Sequence, residues 1–382
     1  MCRRIQVLAV VLCTLLMMQA AIAEPVQVTD VSGRQVTVNV PVKSLILGEG
    51  RFLPTLGILE RENPVRLVAA MMADFRRFDP ATYAAYREKF PEIDDIPEVG
   101  ASGALSFSSE QAIGLRPDVA IFGLSSGHGP GARSKEVIAQ LEAAGIPVVI
   151  VDFRMEPLEN TPKSMRLLGR LLGRDKEAAA FMAFYERQMS LVHDRLEGVS
   201  EKPSVFMELR VGLRDLCCET TGNQMMGRFI GWAGGRNIVA DKIPGTHGVV
   251  NAEYLIAEQP DIYIATAIGN YPPSSTERGR VVLGAGTPPD VAAKSLNDAL
   301  QRPVVSDLTA VTSGSAYAVW HHFYNTPMHV AAGQAMAKWF HPTLFQHLHP
   351  ERTLEEYFER FQPVALNGVY WTGVKTAGVK TE

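Results

Sequence analysis

Cysteine is nearly absent from this chain: there are four in 382 residues, and two of them are Cys2 and Cys13. The other two, Cys217 and Cys218, are adjacent, so no disulfide framework ties distant segments together. The pair reads equally as a vicinal disulfide in an oxidising compartment or as two small buried thiols. C-x-x-C is missing, as is an H-x-x-x-H pair with a helical glutamate. No nucleophile elbow is read in the chain, and Ser126-Gly127-His128 is no recognised nucleophile arrangement. An exported metal-dependent enzyme built on His321 or His322 is therefore a minor alternative. An excess of positive charge is also lacking, with 37 basic residues against 41 acidic ones. That balance excludes a nucleic-acid partner or a polybasic membrane surface.

Long apolar runs are missing too. The longest, Ile5 to Met18, falls short of the ~20 residues that span a bilayer. It follows Arg3 and Arg4 and precedes the small-residue site Ala21-Ile22-Ala23, the order of a cleavable signal peptide over residues 1–23. Bulky Leu12 before Cys13 argues against a lipid anchor. The expected mature chain starts at Glu24, is exported and soluble, and is long enough for two lobes.

What is present is strand–helix alternation. VQVTDVSGRQVTVNV (26–40) alternates on both sides of Ser32-Gly33, a hairpin signal. SLIL, VRLVAA, DVAIFG and PVVIVDF are short apolar runs in the first half, and SVFMELR, DIYIATA and SAYAVW in the second. Each ends in a loop, and several follow helical stretches, one of them expected to start at Thr161-Pro162. The pattern predicts α/β architecture with mostly parallel sheets flanked by helices, and ligands at the carboxyl ends of the strands. Segment 279–290 carries too many glycines and prolines to be placed in regular structure.

Between the halves lies DKEAAAFMAFYERQMSLVHDRL, Asp175 to Leu196. Ala178, Phe181, Met182, Tyr185, Met189, Val192 and Leu196 recur at helical spacing, so the segment reads as one helix of roughly 33 Å. Asp175 is its expected cap, with Gly173 closing the helix before it and Gly198 ending it. It is either a strut between two lobes or a surface helix of one large domain. The halves also share a repeat, E-x-x-I-x-x-x-P-D-x-x-I, from Glu110 to Ile121 and from Glu253 to Ile264. Ser108 and Asn251, two residues before each glutamate, are candidate caps. Acidic residues in a first helical turn also complement the helix dipole without any partner.

The ordered series VTDVSGRQVTV, SSEQAIGLRPDVAIFG, AAGIPVVIVDF, PLENTPKSMRLLGRLLGR, WAGGRNIVAD and VVNAEYLIAEQPDIYIATA covers most of the mature chain. It resembles the helical-backbone periplasmic binding proteins of ABC importers for ferric siderophores, haem and cobalamin. The resemblance implies an N-terminal lobe over 24–174, one long rigid helix over 175–197 and a C-terminal lobe over 198–382, with the ligand cleft between them. It implies a periplasmic, monomeric binding protein without an intrinsic cofactor, and an inner-membrane ABC permease as partner. It also implies that Glu110 and Glu253 dock onto that permease. A sensor of the same fold is the other non-enzymatic reading.

Cleft-facing loops carry Arg51, Arg76, Arg77 and Arg154 from the first half, with Arg210 and Arg214 from the second. Guanidinium forks suit carboxylate and catecholate oxygens, so an anionic metal chelate is the expected ligand, foremost a ferric siderophore or ferric carboxylate complex. Arg51, Arg154 and Arg210 stand directly at strand ends. Trp320-His321-His322-Phe323-Tyr324 and Tyr271 offer ring and imidazole contacts, with His321 and His128 as candidate metal ligands. Haem, cobalamin, nickel-histidine or an oxyanion such as molybdate are the alternative ligands.

Overall fold

The structure, a computed structural model, describes residues 24–213, 217–268 and 279–374. Residues 1–23, expected from the sequence to be a signal peptide, lie outside them, as do Arg214 and Tyr271. A hairpin opens the chain, β1 (Glu24–Thr29) against β2 (Gln35–Val40), with Val26 opposite Val38. Asp30 closes the turn by accepting from the backbone N–H groups of Ser32 and Arg34.

The first sheet is all-parallel: β3 (Leu45–Leu47), β4 (Val68–Met71), β5 (Val119–Gly123) and β6 (Val148–Val151), in the order β4-β3-β5-β6. Nearly every residue of these strands is buried, which is why they read as continuous apolar runs instead of alternating ones. The second sheet has seven strands: β7 (Ser204–Glu208), β8 (Glu219–Thr220), β9 (Arg236–Asn237), β10 (Gly248–Val249), β11 (Ile262–Ala267), β12 (Ala316–Trp320) and β13 (Trp371–Gly373). Its centre, β9-β7-β11-β12, is parallel, while β8, β10 and β13 join antiparallel at the edges. In 279–290, Gly284–Ala285 forms a two-residue strand against Gly368–Val369, and a helix starts at Pro289.

The repeat is structural. Helix α1 (Leu53–Leu59) precedes α2 (Ser109–Gly114), which opens the first copy. The Ser108 side chain accepts from Gln111 N–H, and in the second copy Asn251 accepts from Glu253 N–H. Each Pro-Asp then anchors the neighbouring strand. Asp118 Oδ2 accepts from Ser44 N–H at 3.0 Å, and Asp261 Oδ2 from Ser204 N–H at 2.7 Å.

Helix α3 (Pro157–Leu172) starts four residues before Thr161, because Pro157 supplies the first turn and Pro162 is absorbed inside the helix. Gly173 closes it in the left-handed conformation at φ 64°. The long helix α4 (Asp175–Leu196) then runs 22 residues. Arg174, not Asp175, sits at its cap position and makes no side-chain capping bond; Asp175 and Glu177 complement the dipole from the first turn. Its buried face includes Phe181, Phe184, Tyr185 and Val192. A fully buried phenylalanine of this kind contributes about 1.5–3 kcal/mol.

Helix α4 packs on α1 and α3 of the first half and on a C-terminal helix of the second. Between α4 and α5 (Ala252–Glu258), the second-copy helix, the chain enters the second sheet; the C-terminal helices are α6 (His329–Phe340) and α7 (Pro350–Phe361). Tyr185 of α4 hydrogen-bonds His329 of α6 at 2.7 Å. Helix α7 turns back onto the first half, where Gln362 meets Tyr86 and the Pro54 carbonyl. One hydrophobic cluster consequently runs through both halves, and a smaller one fills the other face of the first sheet.

Candidate functional site

The carboxyl ends of the two parallel sheets face each other across a cavity of about 320 Å³. Ser125, Gly127, His128, Arg154 and Met155 line it from the first half. Arg210, Thr221, Met225, Met226, His247, His321 and Tyr324 line it from the second. At ~30 Å³ per water it has room for roughly ten waters, the scale of a small organic or chelate ligand.

Arg154 is placed by the loop that leaves β6. Buried Asp152 accepts from the backbone N–H groups of Arg154 and Met155 with one oxygen, and from Glu156 N–H and the Asn160 amide with the other. The Arg154 guanidinium pairs with Glu49, lies 5.7 Å from the Tyr324 ring centroid and leaves its buried Nε without a partner among the described residues. Gly127 makes room for it, since a Cβ there would stand 2.2 Å from Nη1 and push the guanidinium aside. Arg210 reaches the cavity from the end of β7 and pairs with Glu219. Its backbone is in the left-handed region at φ 52°, as is that of Met225 on the same wall. Such strain in non-glycine residues concentrates at ligand sites.

The other arginines are elsewhere. Arg51 is buried beneath the cavity, because Asp74 takes its Nε at 3.0 Å and His322 Nδ1 accepts from Nη1 at 2.7 Å. Arg76 is exposed and paired with Glu98, so it lines no cleft. Trp320 is buried edge-on to His322 and Tyr370, facing a separate, smaller space of about 40 Å³ together with Arg51. Arg51, Arg76 and Trp320, expected in the sequence as ligand contacts, thus stand apart from the cavity that gathers Arg154, Arg210, His321, Tyr324 and His128. Sequence reasoning passed over Thr266, Met155, Met225 and Met226. A threonine near the end of the apolar run DIYIATA was the available signal; the methionines offered none.

Burial pushes the Glu49 carboxyl up against the opposing pull of Arg154 and Arg51. Burial, aided by the neighbouring guanidiniums, holds His128 and His321 far below the usual imidazole range, so both are neutral. Among the described residues no group of three or more His, Cys, Asp or Glu is arranged to hold a metal ion. Cys217 and Cys218 are joined as a vicinal disulfide just before β8. The letters G-x-S-x-G do occur, at Gly123-Leu124-Ser125-Ser126-Gly127, contrary to the sequence reading. They form no elbow: no helix follows until Lys135, and among the described residues no histidine hydrogen-bonds Ser125.

Residues 77–319 match the family described as periplasmic binding protein. The chain belongs to that family. It is similar to a TroA-like periplasmic binding protein, FepB, from Veillonella parvula, at 26% identity and a TM-score of 0.81, over 92% of this chain and 100% of that one. It shares its fold with the molybdate periplasmic binding protein MolA of Haemophilus influenzae, at 16% identity and TM-score 0.62, over 90% and 99% of the two chains. Helicobacter pylori CeuE in its Ni-His complex gives 15% and 0.62, over 88% and 95%. No curated protein matches the chain. Among the described residues of this binding protein no helix is long and apolar enough to cross a membrane.

Proposed function

We propose that this binding protein captures a small anionic metal chelate, foremost a ferric one, in the cavity between its lobes and delivers it to an inner-membrane ABC importer. The observation that carries the reading is the pair Arg154 and Arg210, set on opposite walls of one cavity. Each commits a nitrogen to a carboxylate and keeps further N–H donors for a ligand. In this reading residues 1–23 direct export, the lobes meet at helix α4, and the protein works as a monomer in the periplasm. Exposed Glu110 and Glu253, on the equivalent helices α2 and α5, give the permease a two-point electrostatic register. A second reading, a softer metal such as nickel held with histidine, is favoured by the thioethers of Met155, Met225 and Met226 beside neutral His128.

Calorimetric titration of the mature protein with ferric citrate, ferric catecholates and nickel-histidine tests both. One ferric probe should saturate at micromolar concentration, and Arg154→Ala or Arg210→Ala should weaken it about tenfold or more. Saturation by nickel-histidine alone would move the protein to the second reading. Glu110→Arg with Glu253→Arg should abolish uptake in cells at unchanged affinity; normal uptake would remove the docking assignment.

A further inference from the structure

His321 and His322 are adjacent, both buried, and both spend Nδ1 inside the protein. For His322 the proton positions follow from its partners. A guanidinium only donates, so Nδ1 accepts from Arg51, and Nε2–H donates to the Phe78 carbonyl at 3.0 Å.

His321 is fixed by a less obvious chain of bonds. Arg210 stands past the end of β7, Thr266 near the end of β11 and His321 just after β12, three neighbouring parallel strands. Arg210 N–H donates to Thr266 Oγ1 at 2.7 Å, and Thr266 Oγ1 lies 2.9 Å from His321 Nδ1. Thr266 is fully buried, and its hydroxyl hydrogen has no other acceptor among the described residues. A buried hydroxyl left without an acceptor is costly, so Thr266 donates to Nδ1, which therefore carries no proton. The imidazole is neutral, as burial beside Arg210 and His322 requires. Its single proton is then on Nε2, the ring nitrogen without a protein partner among the described residues, on a side chain that lines the cavity.

We infer that the Arg210–Thr266–His321 relay locks His321 as the Nε2–H tautomer, and that His321 binds an oxygen of the chelate as a hydrogen-bond donor instead of ligating its metal. The inference rests on the proposed function for the identity of the ligand, but not for the tautomer. Ligation through Nε2 would need a lone pair there, would move the proton to Nδ1 and would strand the Thr266 hydroxyl. His321 therefore joins the guanidiniums of Arg154 and Arg210 in a set of N–H donors. Such a lining selects a chelate whose metal is already saturated by its own oxygens, with carboxylate, catecholate or hydroxamate oxygens on its surface. His128 and His247 are the other imidazoles that line this cavity.

The lock is read directly on ligand-free protein carrying ¹⁵N-labelled histidine, from long-range proton–nitrogen correlation spectra assigned by loss of the His321 signals in His321→Gln. The expected spectrum shows a protonated Nε2 and a bare Nδ1 at His321, with a mixture of tautomers in Thr266→Val. An Nδ1–H tautomer in the wild type overturns the relay. Donation to ligand is read by titrating ferric tris(catecholate) into folded variants. His321→Gln, which keeps an N–H donor, should bind within about threefold of wild type, while His321→Leu should lose about tenfold or more. Equal losses in both variants, with iron–imidazole scattering in the X-ray absorption spectrum of the wild-type complex, would make His321 a metal ligand. Failure of every ferric probe to bind would sink the chelate reading, and the relay would stand or fall on the nitrogen spectrum.

Discussion

The two halves of this binding protein share a frame and differ in how they handle polarity at their strand ends. Both open a short helix with a capped glutamate and pin the neighbouring strand with an aspartate. At the first sheet's carboxyl ends, Glu49, Arg51, Asp74 and Arg154 are buried together as an ionic cluster. At the second sheet's ends a neutral hydroxyl and imidazole are chained by hydrogen bonds, and the charges there are held in two separate pairs, Arg210 with Glu219 and Arg302 with Glu208, instead of one cluster. An identical backbone frame thus supports charge-based and neutral solutions to the same burial problem. The neutral solution depends on histidines that stay uncharged, the ionic one on carboxylates that keep their partners.

Acid should therefore separate the halves, and this is the largest effect expected. Burial lowers His329 to about 3, and depresses His321 and His322 as well. Their contribution to stability is complete above the unfolded imidazole value near 6.5 and is lost as pH falls. For His329 alone the loss is roughly 2 kcal/mol by pH 5 and roughly 4 kcal/mol by pH 3. In the first half burial raises Asp79 to about 6 and raises Glu49 too, so protonation of these two favours the fold as pH falls from 6 towards 4 and offsets the cost of keeping buried His128 neutral. Hydrogen exchange at pH 7 and pH 5 should show faster opening of β11 and β12 with β3 and β5 unchanged. Equal loosening of both sheets would break the distinction.

A smaller separation is expected from single deletions. Arg51→Ala strands Asp74 without a cation and His322 Nδ1 without a donor, leaves Glu49 with Arg154 alone, and should cost about 3–5 kcal/mol in urea unfolding. Thr266→Val removes one hydroxyl from the neutral relay and should cost about 1–3 kcal/mol. If the two costs coincide, the ionic cluster is no more demanding than the relay. Smallest of all, Ser108→Ala and Asn251→Ala should each cost about 1 kcal/mol. Unequal costs would show that the two capped helices are not equivalent in energy.

The frame was legible in the sequence because it is written locally. Caps, glycine stops and strand runs all lie within a dozen residues of what they determine, whereas the Pro-Asp anchors reach back 74 and 57 residues to Ser44 and Ser204 and were visible only as a repeat. Strand ends were legible too, which brought Arg154, Arg210 and His321 forward together. What could not be read were partners far along the chain. Arg51 looks like any strand-end arginine until Asp74 and, 271 residues away, His322 are seen to enclose it. Trp320 likewise reads as a cleft aromatic, and only packing against Tyr370 turns it inward.

Contacts between the lobes extend well beyond α4. Arg51 with His322, Glu49 with Asn325, Arg228 with Glu156 and the return of α7 onto α1 all cross the gap, backed by one continuous apolar core. Spreading the lobes means breaking those ties at once. In the proposed function, a vessel tied in this way fills by diffusion but empties under load, the work of unloading coming from the permease that grips its two ends.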